Sequence, residues 1–549
     1  MPPGALPAST ATGSTHNLLI DLRAEGPRRH DPGEGWPRPG WHDVRMSRIT
    51  CPALATRVMP AEEAARLIRP GDNVGMSGFT GAGYPKAIPT ALHDRMVAAH
   101  ARGEDFRIGL WTGASTAPDA DGVLAEAKGV SSRLPYNSDP TMRRLINSGE
   151  VDYIDAHLSH SAQHMWFGFY GNLDVAVVEV TAILPGGLLV PSSSVGNNKT
   201  WLDQADQVIL EVNHWQPREF EGFHDIYYGT QLPPHRRPIQ LTDAMQRIGD
   251  PYLRVDPARV VAVVETDRPD RNSPFSPPDE TSRAIADHVV DFLRHEVKAG
   301  RVPPSLLPLQ SGVGNVANAV LAGLDGSEFT DLVAFTEVLQ DGLLHLLDSG
   351  TVRAASATSF GLSDVGVQHF LDNISSYKGR ILLRSEEISN HPELVRRLGV
   401  IAMNGMIEAD IYGNVNSTHI AGSQIMNGIG GSGDFTRNAF LNFFLTPSTA
   451  KGGKVSAIVP MVSHVDHTEH DVQVIVSEHG LADLRGLSPR KRAPRIIEHC
   501  ADPAFRPALH DYLERAQAAR PGAVHTPHLL GEALAWHERF LETGSMLES

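Results

Sequence analysis

The chain has 549 residues and a mass of 59.5 kDa, with 48 Lys and Arg against 64 Asp and Glu, a formal charge of −16. This balance argues against a protein that coats nucleic acid or anionic membrane by bulk charge, although a small anion needs only a few local cations or helix N-termini. Two cysteines, Cys51 and Cys500, exclude a disulfide scaffold or a Cys-based zinc module and suit a reducing, cytoplasmic setting.

Residues 1–45 are rich in Pro and Gly and carry neither a basic segment before an apolar core nor an acid-poor amphipathic pattern. They read as a disordered extension rather than a leader. From Pro60 the pattern becomes regular. PAEEAARLI predicts a helix opening on Pro60, and Asn73–Ser77 a short strand running into the Gly-rich turn Gly78–Gly83. Further strands are expected at Phe106–Trp111, Asp174–Ala182, Gln207–Val212 and Arg259–Glu265. No apolar stretch approaches the ~20 residues of a membrane span.

Thr266–Pro278, with four prolines and no apolar period, reads as a linker. A helix follows, opened by Asp279 and Glu280 and striped by Ile285, Val289, Phe292, Leu293 and Val297. The second half predicts helices at Asn315–Leu321, Leu343–Leu347 and Pro392–Leu398, and strands at Asp331–Val338, Ile381–Arg384, Lys454–Met461 and Val472–Glu478. Val400–Ser417 reads as a hairpin turning at Gly413-Asn414, and three helices from Ser488 close the chain. Short strands alternating with helices give an α/β protein with mainly parallel open sheets. We place the extension at 1–45 and two tandem domains at 46–268 and 269–549.

Four segments carry possible chemistry. Gly428-Ile-Gly430-Gly431-Ser-Gly433 has the spacing of a dinucleotide loop, but no strand leads into it and no acidic ribose ligand follows. His464, Asp466, His467, Glu469 and His470 fit neither a helical zinc pair nor a structural zinc site, so the segment reads as a polar loop and no metal is expected. Ser311-Gly-Val-Gly-Asn-Val316 runs straight into a helix, which suits a phosphate or a developing oxyanion as well as it suits a structural turn. Glu337 ends the apolar run DLVAFTE. Ligands of open α/β sheets sit beyond strand carboxyl ends, so Glu337 is either a carboxylate nucleophile or base, or a salt bridge or helix cap.

Taken together, Thr336–Gly342, Leu306–Val320 (LLPLQSGVGNVANAV) and Ala402–Thr418 (AMNGMIEADIYGNVNST) resemble the acetyl-CoA hydrolase/transferase family, most of all its succinyl-CoA:acetate CoA-transferases. GFTGAGYPK (Gly78–Lys86), TGAST (Thr112–Thr116), SSVGN (Ser193–Asn197), GIGGSGDF (Gly428–Phe435), PSTAKGGK (Pro447–Lys454) and EHGLADLRGLSP (Glu478–Pro489) extend the likeness over about residues 48–545. The resemblance implies two tandem CoA-transferase domains, assembled as a homodimer, that act on acyl-CoA and small carboxylates. It also implies ping-pong chemistry with coenzyme A as substrate and covalent intermediate, and no tightly bound cofactor. It assigns Glu337 as nucleophile and the backbone N–H groups of Val313 and Gly431 as an oxyanion hole. CoA contacts fall on Gly312, Val313, Gly314, Asn315, Val316, Asn427, Gly431 and Lys451, and acyl-pocket positions on Arg271, Asn390 and Glu478.

That chemistry suits the residues. A carboxylate with the ordinary glutamate pKa of about 4.3 is charged at neutral pH and can form an anhydride from which CoA is recaptured. Two rival readings remain: a hydrolase using the same glutamate, and a sugar-phosphate isomerase-like protein in which Glu337 is a proton-transfer base.

Overall fold

The computed structural model describes residues 47–115, 117–272, 278–519 and 524–548. The expected extension at 1–45 lies outside them, as does the 273–277 part of the expected linker. Both large sheets belong to the unit Arg48–Ser549.

The first sheet runs in the order Val260–Thr266, Gln207–Asn213, Val175–Leu184, Asn73–Met76, Ile108–Trp111, Val130–Leu134, Asp152–Tyr153. All neighbours along this path are parallel. Its central strands are apolar on both faces. Val175–Leu184 is buried along nearly its whole length, as a parallel strand covered by helices on both sides must be.

The second sheet runs Gly480–Asp483, Val474–Ser477, Leu441–Leu445, Ile401–Gly405, Leu309–Ser311, Leu332–Phe335, Val352–Ala357, Ile381–Arg384, His224–Asp225. Only the Gly480 strand is antiparallel to its neighbour. The other edge strand comes from the chain before residue 268. His224–Asp225 pairs with Leu383–Arg384, and the Arg384 guanidinium meets the Asp225 carboxylate where both are fully buried.

Several expectations shift in detail. The helix at Pro60 is one turn, Ala61–Ala64, followed by a 3-10 turn, Ala65–Leu67. Val400–Ser417 is not one hairpin. Ile401–Gly405 is a central parallel strand, and only Glu408–Asp410 folds back on Val415–Asn416. The Asp410 carboxylate caps that turn, accepting from the N–H groups of Tyr412, Gly413 and Asn414.

The run Asp331–Val338 is likewise two strands. Leu332–Phe335 lies in the large sheet, whereas Val338–Gln340 pairs with Ser359–Gly361 in a separate two-stranded ribbon. The chain changes sheets at Thr336-Glu337. The helix after the linker forms as the stripe predicts, Glu280–Lys298, with the Asp279 carboxylate accepting from the Ser282 N–H. The closing helices are Pro489–Cys500, Arg506–Ala519 and Ala535–Thr543. Among the described residues no helix is long and apolar enough to cross a membrane.

The described part of the expected linker is not a loose tether. Asp270 is buried and ion-pairs with Lys86 Nζ at 2.8 Å, while Lys86 also pairs with Glu179 at 2.5 Å. Asp270 also accepts from the Gly83 N–H and from the side chains of Ser193 and Gln216. The next residues are fixed as well: Arg271 N–H donates to Gly81 O, and Asn272 Oδ1 accepts from Gly81 N–H.

Candidate active site

The two sheets place strand ends around one cleft of about 440 Å³. In the second sheet, Leu309–Ser311 has Leu332–Phe335 on one side and Ile401–Gly405 on the other. Just past or at their carboxyl ends come Gly312 and Val313, Glu337, and Asn404–Ile407, all of which line the cleft. In the first sheet the adjacent strands Asn73–Met76, Ile108–Trp111 and Val130–Leu134 do the same through Phe79 and Thr80, Ala114, and Tyr136 and Ser138. Six parallel strand ends therefore converge on one space, the place where open α/β sheets present ligand-binding loops.

Glu337 is central. Its position at the sheet switch leaves its backbone carbonyl to accept from the N–H groups of Thr358 (2.8 Å) and Ser359 (3.1 Å). The side chain then stands free of both ladders. Asn390 Nδ2 donates to Glu337 Oε1 at 2.6 Å and reaches Asp434 Oδ2 at 3.3 Å. Asp434 in turn accepts from the Ser159 N–H (2.9 Å) and hydroxyl (2.5 Å), which ties the site to the first half of the chain. Among the described residues no cation pairs with the Glu337 carboxylate. Desolvation pushes its pKa up to about 7, the Asn390 bond opposes the rise and the Asp434 charge adds to it. The expectation of an ordinary, fully charged glutamate is corrected accordingly: burial without a positive partner disfavours the anion.

Gly431 explains one glycine of the Gly-rich segment. A Cβ there would lie 1.9 Å from Glu337 Oε1 and 2.4 Å from Asn390 Nδ2. Only a residue without a side chain lets the main chain come this close to the carboxylate. Gly431 immediately precedes the helix Ser432–Asn438, and Val313 lies two residues before the helix Asn315–Leu324, with Gly314 between them at φ 128°. Main chain from two loops thus faces the Glu337 region.

The resemblance-assigned residues divide by position. Glu337, Asn390, Gly312, Val313, Asn427 and Gly431 lie in or directly against the cleft. Gly314 N–H reaches toward Gln340 Oε1 at 3.4 Å, Asn315 opens its helix, and the Val316 side chain packs on the main core. Lys451, Arg271 and Glu478 are not among the cleft-lining residues. Lys451 lies at the turn between Thr449–Ala450 and Val455–Ser456, its ammonium over the Phe540 ring. Arg271 is exposed and pairs with Asp119 at 3.0 Å, leaving its neighbour Asn272 in the cleft wall. Glu478 accepts from the Ser448 N–H and hydroxyl.

Sequence reasoning missed Tyr136, Ser159, Asn272 and Asp434. Asp434 stands inside the Gly428–Phe435 motif and Asn272 beside Arg271, so proximity to singled-out residues was the available signal. Tyr136 and Ser159 carried none.

The histidine-rich segment is a loop whose Asp466 accepts from Ser417 and Thr418, with His467 packed on Phe444. Among the described residues no group of three or more His, Cys, Asp or Glu is placed to hold a metal ion.

Comparison with known proteins adds an independent line. Residues 52–265 match the acetyl-CoA hydrolase/transferase N-terminal domain, and residues 366–513 the C-terminal domain. The chain is 47% identical over 503 residues to the succinyl-CoA:acetate CoA-transferase of Clostridium kluyveri, covering 92% of each chain. It is 48% identical to the propanoyl-CoA:succinate CoA transferase of Escherichia coli, covering 89% of this chain and 98% of that one. The acetyl-CoA hydrolase of Schizosaccharomyces pombe is 45% identical, with 90% and 98% covered. Among solved structures, RipA of Yersinia pestis superposes with a TM-score of 0.66 at 24% identity, over 84% of this chain and 98% of that one. A 4-hydroxybutyrate CoA-transferase of Porphyromonas gingivalis gives 0.59 at 21% identity, again over 84% and 98%, so the fold is shared. With relatives this similar over nine-tenths of its length, this α/β chain is an enzyme of the acetyl-CoA hydrolase/transferase family.

Proposed function

We propose that the protein is a cytoplasmic, homodimeric CoA-transferase that exchanges CoA between small carboxylic acids, with succinyl-CoA and acetate giving acetyl-CoA and succinate as the model reaction. The observation that carries this reading is the Glu337 carboxylate in the cleft, pressed against the Gly431 main chain and held by Asn390. The two buried, unbridged cysteines suit the reducing compartment.

Glu337 acts in four covalent steps. Its carboxylate attacks the acyl-CoA thioester carbonyl, the C–S bond breaks, and a mixed anhydride and CoA thiolate result. The thiolate attacks the glutamyl carbonyl and releases the first carboxylate, leaving CoA as a thioester on Glu337. An incoming carboxylate attacks that thioester, and the released thiolate then attacks the new acyl group and frees Glu337. Each addition passes through an oxyanion, which main-chain donors at Val313 and Gly431 would stabilise. Removing one such donor typically costs about 3–4 kcal/mol of barrier. A glutamate with a pKa near 7 loses its proton at little cost at neutral pH and, weakly solvated, is a stronger nucleophile than one in water.

Mass spectrometry after mixing with acyl-CoA tests this directly. A CoA-sized increment is expected on the peptide containing Glu337, and Glu337→Ala should abolish both increment and exchange. The hydrolase reading differs in the last steps alone: rapid CoA release from acetyl-CoA by itself, unaffected by added succinate, would favour it.

A further inference from the structure

A second acid lies behind Glu337 with no role in these steps. Glu386 opens the turn Glu386–Ser389 and, four residues before Asn390, shares its face of that turn. The Asn390 N–H donates to the Glu386 carbonyl at 2.8 Å, and the Glu386 N–H donates to Gly196 O at 3.0 Å, so the backbone here is fixed. The side chain is fully buried, and neither carboxyl oxygen has a hydrogen bond of good geometry. It lies against Gly113, where a Cβ would sit 3.2 Å from Glu386 Oε2. The polar side chain beside it is Asn197, whose Oδ1 is also buried without a partner.

We infer that Glu386 is a positioning residue that acts as a neutral acid, so that no further negative charge is set beside Glu337 and Asp434. Among the described residues no cation pairs with Glu386 and its one polar neighbour is the Asn197 amide, which opposes the rise in its pKa only in part, so the buried anion is strongly disfavoured. A carboxylic acid in the same place is tolerated, and its O–H can be given to Asn197 Oδ1. The charged neighbours all push the same way. Glu337, Asp434 and Glu387 are acids, and burial followed by the Glu337 charge lifts Glu386 well above the usual carboxylate range. From the packed helix Leu158–Trp166 come His160 and His164, both held low by burial, and Tyr170 is pushed up to about 12 by burial and by Glu386. Lys199 is engaged with Asp203 at 2.8 Å. Ionisation of Glu386 would therefore set a second charge beside the nucleophile and the departing thiolate. Like charges confined together do not ionise together.

The inference rests on Glu337 as nucleophile and is tested separately from it. Infrared spectroscopy of the free enzyme at pH 9 should show the C=O band of a buried protonated carboxylic acid, and that band should vanish in Glu386→Gln. In steady-state exchange, wild type should lose kcat at alkaline pH as Glu386 ionises, and Glu386→Gln should hold its rate at least threefold better there. If the band is unchanged in Glu386→Gln, or if the two alkaline profiles coincide, Glu386 is not the neutral acid and the inference falls. Should Glu386→Gln not fold, 13C-glutamate labelling of wild type decides by the presence or absence of the acid band at pH 9. A missing CoA adduct in wild type would instead overturn the role of Glu337 and leave the infrared result standing.

Discussion

At the scale of single residues, the cleft works by what it withholds from Glu337. Among the described residues the carboxylate has an amide donor but no cation, so burial lifts its pKa to about 7 and its anion forms as the pH passes through that value. Exchange should therefore rise with pH between about 6 and 8, read as log kcat against pH. Asn390→Ala removes the bond that favours the anion, so the midpoint of that limb should move upward. The same burial has a consequence for stability. A raised folded-state pKa costs stability above it, and the cost fades as pH falls toward the unfolded value near 4.5. Glu337→Gln should thus raise Tm at pH 8, and the gain should vanish near pH 4.5. Gly431→Ala is predicted to lower kcat by about 100-fold or more, because a methyl placed 1.9 Å from Glu337 Oε1 must displace that carboxylate.

At the scale of elements, the features that build the site are breaks in regular structure. Residues 331–338 read as one strand because every apolar position suits one, yet the chain leaves the large sheet at Thr336 and enters a ribbon at Val338. That switch needs a partner strand, Ser359–Gly361, lying more than twenty residues on, which no local pattern could announce. Composition alone makes Thr266–Pro278 a linker. Its Asp270, however, is stapled to Lys86 and sets Asn272 into the cleft wall. Lys86→Met would leave Glu179 and Asp270 buried without their shared cation, and should cost about 3–5 kcal/mol of stability in urea unfolding. A matching Asp270→Asn change in that background should recover part of the loss, since it removes one of the stranded charges.

At the scale of the whole molecule, neither half holds a complete site. Phe79, Thr80, Ala114, Tyr136 and Ser138 come from strand ends of the first sheet, and Gly312, Val313 and Glu337 from those of the second. The halves are also joined through the edge strand His224–Asp225. Removing one partner of its buried ion pair, as in Asp225→Ala, should destabilise the fold by about 3–5 kcal/mol, seen as a lower urea midpoint. It should also reduce exchange at temperatures where wild type is fully folded.

The linear chain by itself determined the α/β class, the positions of most strands and helices, and the set of motifs that marks the family, because apolar period, turn residues and capping are local properties. Glu337 and Gly431 were legible for the same reason, each lying in a motif readable where it stands, whereas Asn390 lies in no such motif and came only from the family resemblance. Only the tertiary structure decided that Asn390 and Gly431 meet at one carboxylate while Lys451 and Glu478 lie away from the cleft, that Asp434 and Glu386 crowd the same acid, and that Glu337 is far less acidic than glutamate in water. Those facts depend on residues scores of positions apart and on the exclusion of water, which exist once the two sheets have closed around the cleft.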